Sequence, residues 1–312
     1  MEKVQVIFGT GPVGQAVARA LLPGGTRIRM INRSGKRPAG LSEAVEVLAG
    51  DLYQAGFTRQ ATRDAAVVYQ CAQPEYTKWV TEFIPLQSAI LEGAAAAGAR
   101  LVIADNLYSY GPVDGPMRED LPAAAATRKG KVRAEAARQA LAAHAAGRLP
   151  VAIGRASDFF GPAVLDSAAG NRMFLPAVQG KAAQGFGNLD ALHTYTFIDD
   201  FGRGLATLGQ REEAPGQAWH VLNAETVSTR RFIELIFAEL GQPVRVSRMG
   251  KMMLMIGGLF IPAARESIEM LYQFEQPFVV DHSKFRRAFG GQPTPLREAI
   301  GQTVSWYKNS IS

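Results

Sequence analysis

The stretch "VIFGTGPVGQAVARALL" sets three glycines, Gly9, Gly11 and Gly14, between an apolar run and a helix-like repeat. Few features restrict a fold so tightly. Val4–Phe8 is apolar enough to be a buried strand, and Val13, Val17 and Leu21 then recur at helical spacing until Gly24 and Gly25 stop the helix. A second apolar run, Ile28–Ile31, follows at once. Strand, G-x-G-x-x-G turn, helix and strand is the order in which this motif has a mechanism. The first glycine makes the tight turn, the second lets backbone approach a pyrophosphate, and the third lets helix pack on strand. The helix N-terminus then presents unpaired N–H groups and the positive end of its dipole to phosphate. Dinucleotide binding through Gly9, Thr10, Gly11, Pro12, Val13 and Gly14 is therefore expected.

The end of the second strand refines the ligand. An NAD site usually carries a carboxylate there for the adenine ribose, whereas an arginine accommodates a 2′-phosphate. Here Asn32 is followed by Arg33, Ser34, Lys36 and Arg37, with no carboxylate among them. The cofactor expected is NADP(H) rather than NAD(H), held at that end by Asn32, Arg33, Ser34 and Lys36.

Further strand-like runs, "AVEVLAGD", "AAVVYQCAQ", "ARLVIADN" and "RLPVAIGRAS", alternate with helical stretches. That alternation predicts right-handed crossovers and an α/β fold, a Rossmann-type doubly wound parallel sheet. The segment "NLYSYGPVDGPMREDLP" is too long for a routine loop and reads as functional. Residues 1–166 are expected to form the dinucleotide-binding domain. Residues 167–312 form a smaller mixed α/β substrate-binding lobe, with 194–225 returning to the first domain. In the second half "STRRFIELIFAELGQP" is a capped helix ending at Gly241, and "TPLREAIGQTVSWYK" has Thr294 as its cap and Pro295 as its first residue.

Composition excludes several classes. The formal charge of +6 is scattered along the chain, so nucleic-acid binding is not expected. Cys71 is the single cysteine, and the four histidines, His144, His193, His220 and His282, lie far apart in sequence. Neither a disulfide nor a metal centre is expected. The most apolar run, from Met252, is short for a bilayer and is broken by two glycines and a proline. With Met1 leading straight into the first strand, a cytoplasmic protein without membrane contact is expected.

The glycine turn, "GDL" at Asp51, "SYGP" at Tyr110, "KVRAE" at Lys131, "GRASDFFGP" at Arg155, "YTFIDDFGRG" and "VVDHSKFRRAFG" occur in this order across nearly the whole chain. Together they resemble the extended short-chain dehydrogenase/reductase superfamily, the group of NAD-dependent epimerases and dehydratases. The resemblance implies adenine contacts from Asp51, Leu52 and Ala72, and a possible homodimer through the Trp79–Gly98 helix. It also implies a Tyr-x-x-x-Lys pair in which the ammonium lowers the phenol pKa, beside a serine or threonine.

Here the pattern breaks. Lys131 occupies the lysine place, but Thr127 stands at the tyrosine place and Asn106 at the serine place. The resemblance thus points to an atypical member in which Lys131 holds the nicotinamide ribose. Tyr108, Asp158 or a water on Asn106 would then handle the proton. The arginines that clamp a nucleotide-sugar pyrophosphate are also missing: His193 stands near the first place, and "MLYQFEQPF" offers none near the second. Phe159, Phe160, Met252, Met253, Met255, Leu259, Phe260, Tyr272 and Phe274 would line an apolar pocket or pack in the core. Three functions stay open: an oxidoreductase on a small, mostly apolar carbonyl or alcohol; an isomerase, epimerase or lyase using the cofactor transiently; and a silent NADP(H)-binding sensor.

Overall fold

The computed structural model describes residues 3–311. The first half runs β1 (Val4–Phe8), α1 (Pro12–Leu21), β2 (Ile28–Asn32), β3 (Val45–Ala49), α2 (Ala55–Ala61), β4 (Ala65–Gln70), α3 (Trp79–Ala96), β5 (Arg100–Asp105), α4 (Arg128–Ala145) and β6 (Val151–Arg155). Shorter elements follow: β7 (Asp158–Phe160), α5 (Phe174–Val178), β8 (Ala183–Phe186), β9 (Leu192–His193) and β10 (Tyr195–Phe197). Next come α6 (Ile198–Gln210), β11 (Gln217–His220), β12 (Val227–Ser228), α7 (Thr229–Leu240) and β13 (Val246–Met249). The chain closes with α8 (Lys251–Gly258), α9 (Pro262–Ser267), α10 (Tyr272–Glu275), α11 (Ser283–Phe289) and α12 (Leu296–Ile311).

Seven strands pair in the order β11-β6-β5-β4-β1-β2-β3, every pair parallel. This is the doubly wound Rossmann-type sheet. Strands covered on both faces need continuous apolar runs, and Val4, Val6, Phe8, Ile31, Val68, Ile103 and Val151 supply its core. Strand order reverses beside β1, with β2 on one side and β4 on the other. In such sheets the crevice outside the carboxyl ends at that switch point binds the ligand. The glycine turn lies there.

The contacts divide the chain into two units. The first holds the chain up to Ser109, Ala123–Arg155 and Phe201–Val221; the second holds Tyr110–Pro122, Ala156–Asp200 and the chain from Leu222 onward. The division falls after Arg155 rather than at residue 166, because β7 pairs with β10 within the second unit. The return to the first unit begins at Phe201, the expected 194–225 having started earlier. The long segment after β5 is also divided there, since the Met117 N–H donates to the Val279 carbonyl and its carbonyl accepts from the Asp281 N–H. The second unit has its own core, in which Phe160, Phe174, Phe232, Ile236 and Tyr307 are buried.

Two local expectations change. The last helix starts at Leu296 rather than Pro295, and the N–H and hydroxyl of Thr294 both donate to the Asp200 carboxylate. The methionine-rich stretch is neither core nor a closed pocket. Leu254 of α8 is buried, but Met252, Met253, Met255, Leu259 and Phe260 are exposed, while Phe160 lies in the core. Five successive apolar side chains on an eight-residue helix cannot all face one partner.

Candidate active site

Gly9 sits at φ +105, a conformation L side chains rarely adopt, and a Cβ there would meet the Ala72 backbone nitrogen at 2.7 Å. The turn is closed from behind by the chain leaving β4, which puts Ala72 against it. A Cβ on Gly14 would strike the Gly9 carbonyl, so only glycine lets α1 approach β1 this closely. Gly11 differs. It caps α1 with extended backbone and no side-chain cap, and a Cβ there meets no atom within 4 Å. The first turn of α1 thus opens its N–H groups onto unobstructed space, the arrangement in which a helix N-terminus favours an anion. Pro12 begins the helix, and Val13 beside it is half-buried. Thr10 is fixed by two neighbours: its carbonyl accepts from Gln15 Nε2 (2.9 Å) and its hydroxyl from Asn32 Nδ2 (3.0 Å).

Asn32 organises the loop after β2. Its amide oxygen accepts from the backbone N–H of Ser34 (3.0 Å) and Gly35 (2.6 Å), and its amide nitrogen also donates to the Lys36 carbonyl (2.8 Å). Both ends of the amide are engaged within the protein. Arg33 is exposed and lines a pocket of about 690 Å³ with Ala49, Asp51, Tyr53, Lys78 and Glu82. Among the described residues no ion-pair partner is recorded for Arg33, whereas Arg37 reaches Glu43 at 3.4 Å. Asp51 is exposed at the pocket and accepts from the Tyr53 N–H (3.1 Å), while Leu52 turns into the core. Tyr53 donates its hydroxyl to Glu82 (2.9 Å); burial and that carboxylate push its pKa up to about 12. Ser34 and Lys36 are exposed on the same loop.

Thr127 is the N-cap of α4. Its hydroxyl accepts from the Gly130 N–H (3.1 Å), and Lys131 stands exposed one turn on. Asn106 caps the turn after β5, its side-chain oxygen accepting from the Tyr108 N–H (3.1 Å). The Tyr108 ring lies 5.9 Å from Trp79, in a small cluster with Phe83 and Tyr76. The buried lysine of α4 is Lys129, whose ammonium lies 4.5 Å from the centre of the Tyr76 ring. Sequence reasoning passed over it. Counting back from Ala140 and Ala136 by helical steps reaches Arg133 and Lys129, and that inward face would have identified both.

Arg133 belongs to a second feature missed from sequence. Asp105, buried at the end of β5, accepts from Arg133 Nε (2.7 Å) and Arg155 Nε (2.9 Å). Burial pushes its pKa up, but the two guanidiniums outweigh that and hold the carboxyl below its usual range. The triad locks α4, β5 and β6 together inside the first unit.

In the second unit Asp158 opens β7, and its Oδ2 lies 2.9 Å from His193 Nε2. The other ring nitrogen, Nδ1, faces the Gln273 carbonyl at 3.2 Å. Phe274 and Phe278 stack on the imidazole at 4.8 and 5.3 Å between ring centroids, and His193 is 2% exposed. Phe274 therefore packs on a histidine. Tyr110, also of this unit, is buried and serves as packing. Among the described residues no group of three or more His, Cys, Asp or Glu side chains is placed to hold a metal ion. No helix among them is long and apolar enough to cross a membrane.

Solved structures share this architecture. The UDP-glucuronic acid 4-epimerase of Bacillus cereus, solved with NAD, has a TM-score of 0.78 at 16% identity, with 99% of each chain covered. The dTDP-glucose 4,6-dehydratase DesIV of Streptomyces venezuelae, with NAD and TYD bound, has a TM-score of 0.78 at 18% identity, covering 98% of this chain and 97% of that one. The epimerase Mth375 of Methanothermobacter thermautotrophicus reaches 0.81 at 17% identity, covering 99% and 93%. At such identities these likenesses show the fold. No curated protein matches the chain. Membership rests on the sequence itself: residues 6–221 match the NAD dependent epimerase/dehydratase family, a span that takes in the glycine turn, the Arg33 loop, α4 and Asp158. The chain belongs to that family.

Proposed function

We propose that the protein is an NADP(H)-dependent oxidoreductase acting on a small, mostly apolar carbonyl or alcohol. The observation that carries the cofactor choice is Arg33. It stands beside the pocket without an ion pair, at the end of a strand that offers an amide where NAD binders carry a carboxylate. Gly9, Gly11 and Gly14 form the cradle, Asp51, Leu52 and Ala72 flank the adenosine end, and Lys131 holds the nicotinamide ribose. When bound, the reduced nicotinamide supplies a hydride to a carbonyl carbon. The chain must then supply a proton to the oxygen, and an aliphatic hydroxyl such as that of Thr127 does not shuttle one as a phenolate does. Asp158 takes that role, with Tyr108 and Asn106 shaping the turn after β5.

Against a nucleotide-sugar substrate stands the second unit. The place where a pyrophosphate-clamping arginine would be implied holds His193, enclosed by Phe274 and Phe278. A diphosphate without cationic partners is poorly bound. The test is stoichiometric NADPH consumption against a panel of aromatic and aliphatic carbonyls. Consumption matched by alcohol formation supports the reading. Product formation without net NADPH consumption assigns the transient-cofactor chemistry of isomerases and lyases, and tight NADPH binding with no turnover assigns a sensor.

A further inference from the structure

His193 is bonded in a way that fixes a proton count. A backbone carbonyl can only accept, so the contact from Nδ1 to the Gln273 carbonyl requires a proton on Nδ1. The contact from Nε2 to Asp158 Oδ2, at 2.9 Å, also requires a proton, on either the ring or the carboxyl. With a neutral ring and an ionised carboxylate, one contact would set two lone pairs against each other. One additional proton satisfies both, as imidazolium with carboxylate or as imidazole with carboxylic acid. His193 is 2% exposed, so water cannot replace a lost partner. Asp158 is different: its side chain is 18% exposed and keeps an edge open.

We propose that Asp158 and His193 share one proton and that Asp158 thereby presents a usable acid at neutral pH. His193 is the positioning residue and proton store behind it. The inference rests on the reading of Asp158 as the group that protonates substrate. In the reducing direction the Asp158 O–H bond breaks and the substrate O–H bond forms, while the hydride of a reduced nicotinamide dinucleotide forms the C–H bond. The carbonyl is reduced and the dinucleotide oxidised. The pair, left one proton short, refills from water at the open edge of Asp158. An exposed aspartate alone would be almost wholly ionised at neutral pH and a poor acid. Histidine is the residue whose ordinary titration lies in the range needed.

The surroundings suit this role. Two stacked phenylalanine rings exclude water from the imidazole, and Gln273 fixes its orientation. The other ionisable group recorded against the ring is Tyr195, 4.7 Å away between centroids. Burial pushes its phenol up, and its hydroxyl is bonded to Thr229 at 2.9 Å, so it stays neutral. No guanidinium or ammonium is recorded in contact with the ring among the described residues.

The proton count is measurable without turnover. Protein labelled with ¹⁵N in histidine and ¹³C at aspartate carboxyls is titrated by NMR, with Asp158→Asn as reference. An asparagine amide can still donate to Nε2, so that variant keeps the geometry while removing the shared proton. The expected result at neutral pH is one proton more than an ionised Asp158 with a neutral ring, lost on Asp158→Asn, where His193 becomes neutral with Nδ1 protonated. An ionised Asp158 beside a neutral His193 at neutral pH overturns the proposal. In kinetics, His193→Gln should move the alkaline limb of the kcat profile to lower pH while NADPH affinity is unchanged. A uniform fall in kcat at every pH, without movement of that limb, also overturns it. Should the shared proton be found while no carbonyl is reduced, the pair stands and the oxidoreductase reading fails. Turnover with an ionised Asp158 and a neutral ring leaves that reading standing and removes the pair.

Discussion

Replacing Arg33 by alanine removes one guanidinium from the wall of the pocket and little else. Among the described residues no ion pair of Arg33 is lost, and the loop is held by Asn32 through its backbone, so the fold should be unchanged. A charge-assisted pair to a phosphate contributes roughly 1.5–3 kcal/mol. Arg33 is exposed, so solvent screening places its share at the lower end, which corresponds to about a tenfold loss of NADP(H) affinity. NAD(H), with a bare 2′-hydroxyl, should bind as before. Its charge also draws the Tyr53 phenol down slightly, but that phenol sits at about 12 and stays neutral in either protein. Titration of NADPH and NADH fluorescence into both proteins, at low and high salt, gives the comparison directly. The NADPH preference should shrink with salt in the wild type and be nearly flat in Arg33→Ala. Equal losses for both cofactors, or a wild-type preference for NADH, would refute the argument and return Arg33 to the role of a solvated loop residue.

Gly11→Val should fold normally, because its Cβ meets nothing and its backbone is extended, yet fail to bind either dinucleotide; unchanged affinity in the folded variant would remove the phosphate-cradle reading. Asp105→Asn should destabilise the protein by about 3–5 kcal/mol in urea unfolding, since a neutral amide then stands where the buried carboxylate balanced Arg133 and Arg155. The folded Asp105 pKa lies below its unfolded value of about 3.9, so its contribution is complete above that pH and fades as pH falls through the folded value; wild type and variant should converge in strong acid. Thr127→Ala should cost about 1 kcal/mol of stability as a lost helix cap and leave kcat nearly intact. Lys131→Ala should raise the Kd for NADPH, and Tyr108→Phe, which keeps the backbone N–H on Asn106 and the ring against Trp79, should leave kcat and that Kd nearly unchanged. A collapse of kcat in Thr127→Ala would make the threonine the reacting group, and one in Tyr108→Phe would move the proton from Asp158 to the phenol.

The sheet was legible because its signals are local. A strand, a glycine turn and an amphipathic helix each announce themselves within a few residues, and β1, α1 and β2 lie within a residue or so of where the pattern places them. The long segment after β5 was recognisable as irregular, but its division between two units depends on Met117 meeting Val279, a pairing distant in sequence. Buried charges were the least legible. Asp105, Arg133 and Arg155 come from three elements, and no spacing in the sequence relates them. Asp158 was singled out from its place in "ASDFF", whereas its partner His193 was noted for the arginine it replaces. Apolar composition misled at α8, where methionines that suggested a pocket or core face solvent.

Two of the departures from the family pattern bear on one another chemically. At the head of α4 a tyrosine could not be restored by substitution alone. Thr127 caps the helix, and the next turn is so tight that a Cβ on Gly130 would meet the Tyr108 carbonyl at 2.7 Å. The site is a structural joint, and a phenol there would lose the cap and crowd the joint together. The second departure puts a histidine where an arginine would be implied. A guanidinium binds anions but does not release a proton in the working range, whereas an imidazolium does. A sequence that merely decayed from a nucleotide-sugar enzyme would have no reason to enclose that imidazole between two phenylalanines and bond both of its nitrogens. On the proposed reading, reduction of an apolar carbonyl needs no cationic clamp for a diphosphate, and the Asp158–His193 pair supplies the proton that the absent phenol cannot.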